Sequence, residues 1–183
     1  SATVALAMPA TAADVQLFDL NEGADGSNPA EVIRIGDEIY AIATVSTGGP
    51  RSLVRVALAS GDIQAIATFD GPLTQPESLT PLGTNFVFRA DTGGGSSGLI
   101  LFDTDAETFS SSFVSNPSRL TPSPSGDRIV MAGGATSGEQ VIEIDTTGAP
   151  TTIHECAGKS LEVGEIAVGS SSVYFTGVDC AGT

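Results

Sequence analysis

Residues 117–155 read PSRLTPSPSGDRIVMAGGATSGEQVIEIDTTGAPTTIHE. A proline and a short apolar stretch lead into the polar turn at Gly126-Asp127, and the apolar run Ile129-Val130-Met131-Ala132 follows. A Gly/Ser/Thr loop, the run Val141-Ile142-Glu143-Ile144, a second turn and a weaker run over 151–155 complete the phrase. Alternation and branched side chains between turn residues predict four short strands. The same phrase stands at 29–69, PAEVIRIGDEIYAIATVSTGGPRSLVRVALASGDIQAIATF, and at 76–114, PESLTPLGTNFVFRADTGGGSSGLILFDTDAETFSSSFV. A repeat of roughly 40–47 residues with four strands per unit predicts an all-β fold, a β-propeller of four-stranded blades. Each small sheet then buries its faces only against its neighbours.

The runs 39–43, 86–90, 129–132 and 173–176 each follow a polar turn and are expected as second strands; third strands are expected at 53–56, 99–102 and 141–144. The outer strands, 63–69, 108–114 and 151–155, lose hydrophobicity, which fits an exposed edge. One domain, 1–183, of about four blades follows: a half blade at 2–20, blades at 29–69, 76–114 and 117–155, and a half blade at 161–178. Residues 2–20 supply third and fourth strands and 161–178 first and second ones. Paired, these halves close a four-bladed ring; unpaired, the chain is part of a larger propeller. Residues 3–7 and 14–19 match 55–59 and 62–67, which reads 1–13 as a strand, whereas Thr11-Ala12-Ala13 reads the same stretch as a signal-peptide remnant.

Only 7 basic side chains face 22 acidic ones, for a net charge of −15 and a pI near 4.1. That field repels a phosphate backbone and an anionic lipid surface, so nucleic acid is not an expected partner. A mean hydropathy of +0.18 argues against disorder. No run reaches the roughly 18–20 apolar residues of a membrane-spanning helix. Cys156 and Cys180 flank one strand pair, which suits a disulfide in an oxidising compartment and places the chain in the periplasm or outside the cell. In the chain-entropy account such a closure contributes roughly 3–4 kcal/mol; two unpaired thiols are the alternative.

Residues 120–132 (LTPSPSGDRIVMA) followed by 140–148 (QVIEIDTTG) resemble the bacterial TolB-type propeller repeat. That pattern is a Ser-Pro-Asp-Gly turn, a basic residue, an apolar strand, a loop and a strand ending in Asp-x-x-Gly; Ser125 stands where Asp is usual. The Pro-x-x-Leu-Thr starts at Pro76 and Pro117, and the stretch 19–29, are similar to a second secreted bacterial repeat built around Glu-Leu-Trp. These resemblances imply a periplasmic or surface protein that binds other proteins.

Catalytic patterns are sparse. The single histidine, His154, neighbours Glu155 and Cys156, but adjacent strand residues point to opposite faces and His154 and Cys156 stand about 7 Å apart along a strand. A strand-end histidine beside a disulfide is the expectation. One histidine and two distant cysteines do not make a zinc site. Asp19, Asn21 and Asp25, with Glu31, place oxygen ligands in a glycine-containing turn, a calcium candidate whose spacing departs by two residues from the calcium-loop register. The glycine-rich stretch 91–98 lies between strands and opens no helix, so it reads as a hairpin loop rather than a phosphate cradle. No Gly-x-Ser-x-Gly elbow occurs, and no carboxylate pair is singled out for glycoside cleavage.

The expected function is therefore non-enzymatic: an extracytoplasmic protein-protein interaction or scaffold module with a protein partner and no cofactor. One alternative is an accessory subunit of a large membrane-associated complex, held peripherally without a transmembrane segment. The other is a carbohydrate-binding propeller, disfavoured by the absence of Trp and the presence of only 2 Tyr.

Overall fold

Turns set the strand boundaries. Gly36, Gly83 and Gly126 occupy equivalent places between first and second strands with φ of +58°, +63° and +69°, a left-handed backbone that costs least without a Cβ. The computed structural model describes residues 29–45, 48–71, 73–93, 95–110, 114–135, 138–156 and 161–177. The first sheet comprises β1 (Glu31–Ile35), β2 (Glu38–Thr44), β3 (Arg51–Ala57) and β4 (Ile63–Thr68). The second comprises β5 (Thr74–Leu82), β6 (Asn85–Asp91), β7 (Ser97–Asp103) and β8 (Thr108–Ser110). The third comprises β9 (Ser118–Pro122), β10 (Arg128–Ala135), β11 (Gly138–Asp145) and β12 (Pro150–Glu155), and a strand pair β13 (Val163–Val168) and β14 (Val173–Gly177) follows.

Each sheet is an antiparallel meander in chain order, and the first strands β1, β5, β9 and β13 adjoin one another in that order. Sheets arrayed this way around their innermost strands are the blades of a β-propeller. The half blade expected at 2–20 lies outside the described residues, as does the choice between strand and signal remnant for 1–13. Of the outer strand expected over 108–114, β8 covers Thr108–Ser110, and residues 111–113 lie outside the described ones. Beyond them the chain still follows β7: Val114 O accepts from Leu99 N at 3.2 Å, and Ser115 forms an isolated bridge with Gly98.

Strand period two sends alternate residues to opposite faces, and each face is buried by a different neighbour. Tyr40, Ile42 and Leu53 of the first blade pack against Leu79, Phe86, Phe88, Ile100 and Phe102 of the second. Val87, Leu99 and Leu101 on the second blade's other face meet Ile129, Met131, Ile142 and Ile144 of the third. Val130, Ala132 and Val141 turn toward Leu161, Val163 and Ile166 of the last pair. Rings concentrate in the first interface, where Phe86 lies 5.0 Å from both Tyr40 and Phe102. Offset and tilted ring pairs at that separation add to area burial.

Polar links cross the same interfaces. Arg55 of β3 donates to Glu107 in the second blade, and Arg128 of β10 reaches the carbonyls of Gly169 and Ser170 at 3.0 and 3.3 Å while holding Glu143 at 2.7 Å. Arg128 is the basic residue that follows the turn in the repeat, so one side chain ties its own blade to the next.

Phe86→Ala removes a fully buried ring from the first interface and is expected to destabilise the chain by about 3–5 kcal/mol, measured as a lowered urea midpoint. An unchanged midpoint would show that the two sheets do not depend on each other.

Candidate functional site

The first strands of the second and third blades share an unusual backbone. Gln75 and Ser78 have φ of +50° and +61°, and the equivalent Asn116 and Arg119 have +48° and +55°. In each pair a proline follows the first left-handed residue and a threonine closes the unit: Thr80 Oγ1 donates to Ser78 O at 3.0 Å, and Thr121 Oγ1 to Arg119 O at 3.1 Å. Left-handed non-glycine residues store strain and persist where the surroundings hold them.

The two junctions then diverge. Between the second and third blades, Asn116 donates its N–H to Ser97 O at 2.8 Å and accepts from Ser97 N through Oδ1 at 3.2 Å; Pro117 follows at once. Between the first and second blades those roles are split. Phe69 donates its N–H to Arg51 O at 2.8 Å, and the left-handed residue before Pro76 is Gln75, with six residues, 70–75, between Phe69 and Pro76. Arg51 begins β3 as Ser97 begins β7, yet Ser97 is buried at 6% and Arg51 is exposed.

A cleft of about 480 Å³ occupies this wider junction, lined by Arg51, Phe69, Thr74, Gln75, Pro76 and Glu77. Phe69 is fixed edge-on against Phe88 at 5.7 Å. Glu77 is bound to Arg89 at 3.1 Å. Arg34, Arg55, Arg89, Arg119 and Arg128 each reach a carboxylate within 3.8 Å; Arg51 alone makes no ion pair among the described residues. In a chain with three acids for every base, Arg51 thus lines a concave site without an ion pair among the described residues.

The last strand pair presents a second surface. Tyr40, Val87 and Val130 turn from their second strands toward the following sheet and are exposed by 1% or less, while Tyr174, on the corresponding face of β14, is 68% exposed. Val173 and Phe175 on the other face pack toward the third blade. Among the described residues, β14 pairs only with β13.

The residues singled out from sequence fall elsewhere. His154 packs on Phe175 with ring centroids 5.3 Å apart, and Glu155 accepts instead from Gln140 Nε2 at 2.7 Å. Cys156 is buried at 7% among Val141, Leu161 and Val163; Cys180 lies outside the described residues, as do Asp19, Asn21 and Asp25. Glu31 sits half-buried in β1. Among the described residues no group of three or more His, Cys, Asp or Glu is placed to hold a metal ion, and no helix is long and apolar enough to cross a membrane. Turn aspartates are occupied locally: hydrogen bonds from the Ser125 and Ser123 hydroxyls hold the Asp127 carboxyl below its ordinary range, and the Thr147 hydroxyl and N–H do the same for Asp145. Neither the Arg51 cleft nor the Tyr174 face stood out in the sequence. The available signal was the unequal spacing of the repeat prolines, 47 residues from Pro29 to Pro76 against 41 from Pro76 to Pro117.

Neither a family model nor a curated protein matches the chain. Solved structures do. A prolyl endopeptidase structure aligns with TM-score 0.57 at 13% identity, covering 75% of this chain and 24% of that one. A puromycin-hydrolysing peptidase of Mycobacterium tuberculosis aligns with TM-score 0.51 at 19% identity, over 71% of this chain and 21% of that one. TolB from Acinetobacter baumannii aligns at 0.45 and 20% identity, over 64% and 30%. The chain thus spans about a fifth to a third of the length of these proteins. At such identities the likeness to the two peptidases speaks for the β-propeller fold alone.

Tyr40 supplies a pH signature. Burial pushes its hydroxyl pKa well above the ordinary value of 10.0, and the hydrogen bond to Glu38 adds to the shift. A group raised in the folded state keeps its full contribution below the unfolded pKa and loses it as pH rises beyond that value. The chain is expected to lose stability above about pH 10, with a smaller loss in Tyr40→Phe, when denaturation midpoints at neutral and alkaline pH are compared. Equal losses in the two proteins would contradict this.

Proposed function

We propose that this chain is a non-enzymatic interaction module of the periplasm or cell exterior that docks on a protein partner through a blade face. The observation that carries the reading is Tyr174. It stands 68% exposed on the last described strand pair, on a face whose counterparts in the three complete blades are buried, so this face takes another sheet, either from this protein beyond the described residues or from a partner. A surface of that shape fits a sheet-like partner. The packing of His154 on Phe175 and the local capping of Asp127 and Asp145 supply ordinary structural roles for groups that would otherwise suggest chemistry.

The compartment is supported by Cys156. It is held in the core formed by the third blade and the last strand pair, and we propose that it pairs with Cys180. An accessory role in a membrane-associated assembly is the same reading with the partner embedded in a complex. A carbohydrate-binding funnel is less well supported, since the chain has no Trp and Tyr40 is buried, which leaves Tyr174 as the one exposed tyrosine.

Tyr174→Asp tests the docking face. The wild-type chain is expected to form a stoichiometric complex with a partner, or with itself, that the variant loses while its circular dichroism is unchanged. Two proteins that sediment identically as inert monomers in every extract and concentration would remove the reading. The disulfide is tested separately by intact mass, which should rise by about two mass units on reduction; a constant mass would remove the argument for an oxidising compartment.

A further inference from the structure

We propose that the cleft between the first and second blades is a binding site for a carboxylate carried by a peptide chain. Arg51 takes the carboxylate, and Phe69 and Pro76 receive the apolar group beside it. This deepens the interaction reading by naming a ligand class at a surface separate from Tyr174.

The repeat provides an internal comparison. At the junction of the second and third blades the space at the start of the third strand is plugged: Asn116 is bonded through both its main chain and side chain to Ser97, whose hydroxyl also accepts from Arg89 Nε at 3.1 Å. At the junction of the first and second blades, the corresponding place holds an arginine without an ion pair among the described residues. The crossover there is six residues longer, and Thr74 and Gln75 at its end line the cleft. The β5 ladder breaks register between Thr74 and Glu77. Gln75 and Pro76 therefore have no register partner on β6, which leaves main-chain groups there for a ligand's own peptide groups. Gln75 keeps φ +50° there without the side-chain plug that Asn116 supplies at the other junction.

The ligand class follows from charge and shape. A guanidinium presents two parallel donors that match a carboxylate. A single such group within a chain of net charge −15 tolerates a monoanion, whereas a polyanion meets the surrounding field. Glu77 is already neutralised by Arg89 at 3.1 Å, so it does not compete for Arg51. Phe69, only 6% exposed, and the buried Pro76 make a rigid apolar floor next to the charge, which suits a carboxylate attached to an apolar residue better than a free inorganic ion.

The test is a titration of the isotope-labelled full chain, followed by amide chemical shifts. Three probes separate the sources of the carboxylate: acetyl-Ala-Ala-Leu with a free C-terminus, the same peptide as its amide, and acetyl-Ala-Glu-Leu amide. Saturable shifts are expected at Phe69, Thr74, Gln75 and Glu77 with at least one carboxylate-bearing peptide and none with the neutral amide. The free acid alone would identify a chain terminus as the ligand, and the glutamate peptide alone an acidic side chain. Arg51→Gln, at an exposed position that leaves the rest of the spectrum in place, should weaken binding about ten- to a hundredfold, whereas Arg34→Gln should not. The proposal is overturned by an absence of saturable shifts up to about 10 mM of either carboxylate peptide, by equal shifts with the neutral amide, or by equal affinity in Arg51→Gln. Loss of partner binding in Tyr174→Asp with peptide binding intact, or the reverse, shows which of the two surfaces fails.

Discussion

A four-stranded blade has two apolar faces and too little area to bury either by itself, so each must be covered by a neighbour. The faces follow from strand alternation: Tyr40 and Ile42 turn one way toward Phe86 and Phe102, while Ala43, with Val54 and Val56, turns the other way into a separate buried cluster. One rule applied blade after blade produces the three interfaces. It also explains why Arg55 and Arg128 reach across blade boundaries. They fix the relative placement of sheets whose contact is otherwise nondirectional.

The same rule turns departures from the array into functional questions. In each complete blade the second-strand residue that turns toward the following sheet is buried; in the last strand pair that residue is Tyr174 and it is exposed. Function in such a fold resides in what departs from the repeat, because the repeat itself is occupied with burial. Two departures stand out: the face of β14 that no described sheet covers, and the widened crossover that sets Arg51 beside a cleft while Ser97 and Asn116 close the corresponding gap one blade later.

The strands were legible because alternation and turn residues are local signals. Gly36, Gly83 and Gly126 mark the same turn three times, and the runs after them became β2, β6 and β10. The outer strands carried a weaker signal, and β8, where serines follow Phe109, comprises only three residues. The site was not legible for a different reason. Arg51 acquires meaning only by comparison with five paired arginines and with Ser97, and both comparisons require the third dimension. Left-handed Gln75 and Asn116 carry no glycine to announce them, so the strain at the starts of the second and third blades was also hidden. His154 drew attention as the lone histidine beside Glu155 and Cys156. Its ring instead meets Phe175, a residue of the next strand pair that no local spacing reveals.

Native-state hydrogen exchange resolved by strand tests the stacking account most directly. If mutual burial is what stabilises each sheet, the central strands β6 and β7, flanked on both faces, exchange only through global unfolding, and β13 and β14 open earlier at lower free energy. The contradicting result is protection in β13 and β14 equal to that in β6 and β7, or blades that each exchange with a separate free energy insensitive to Phe86→Ala.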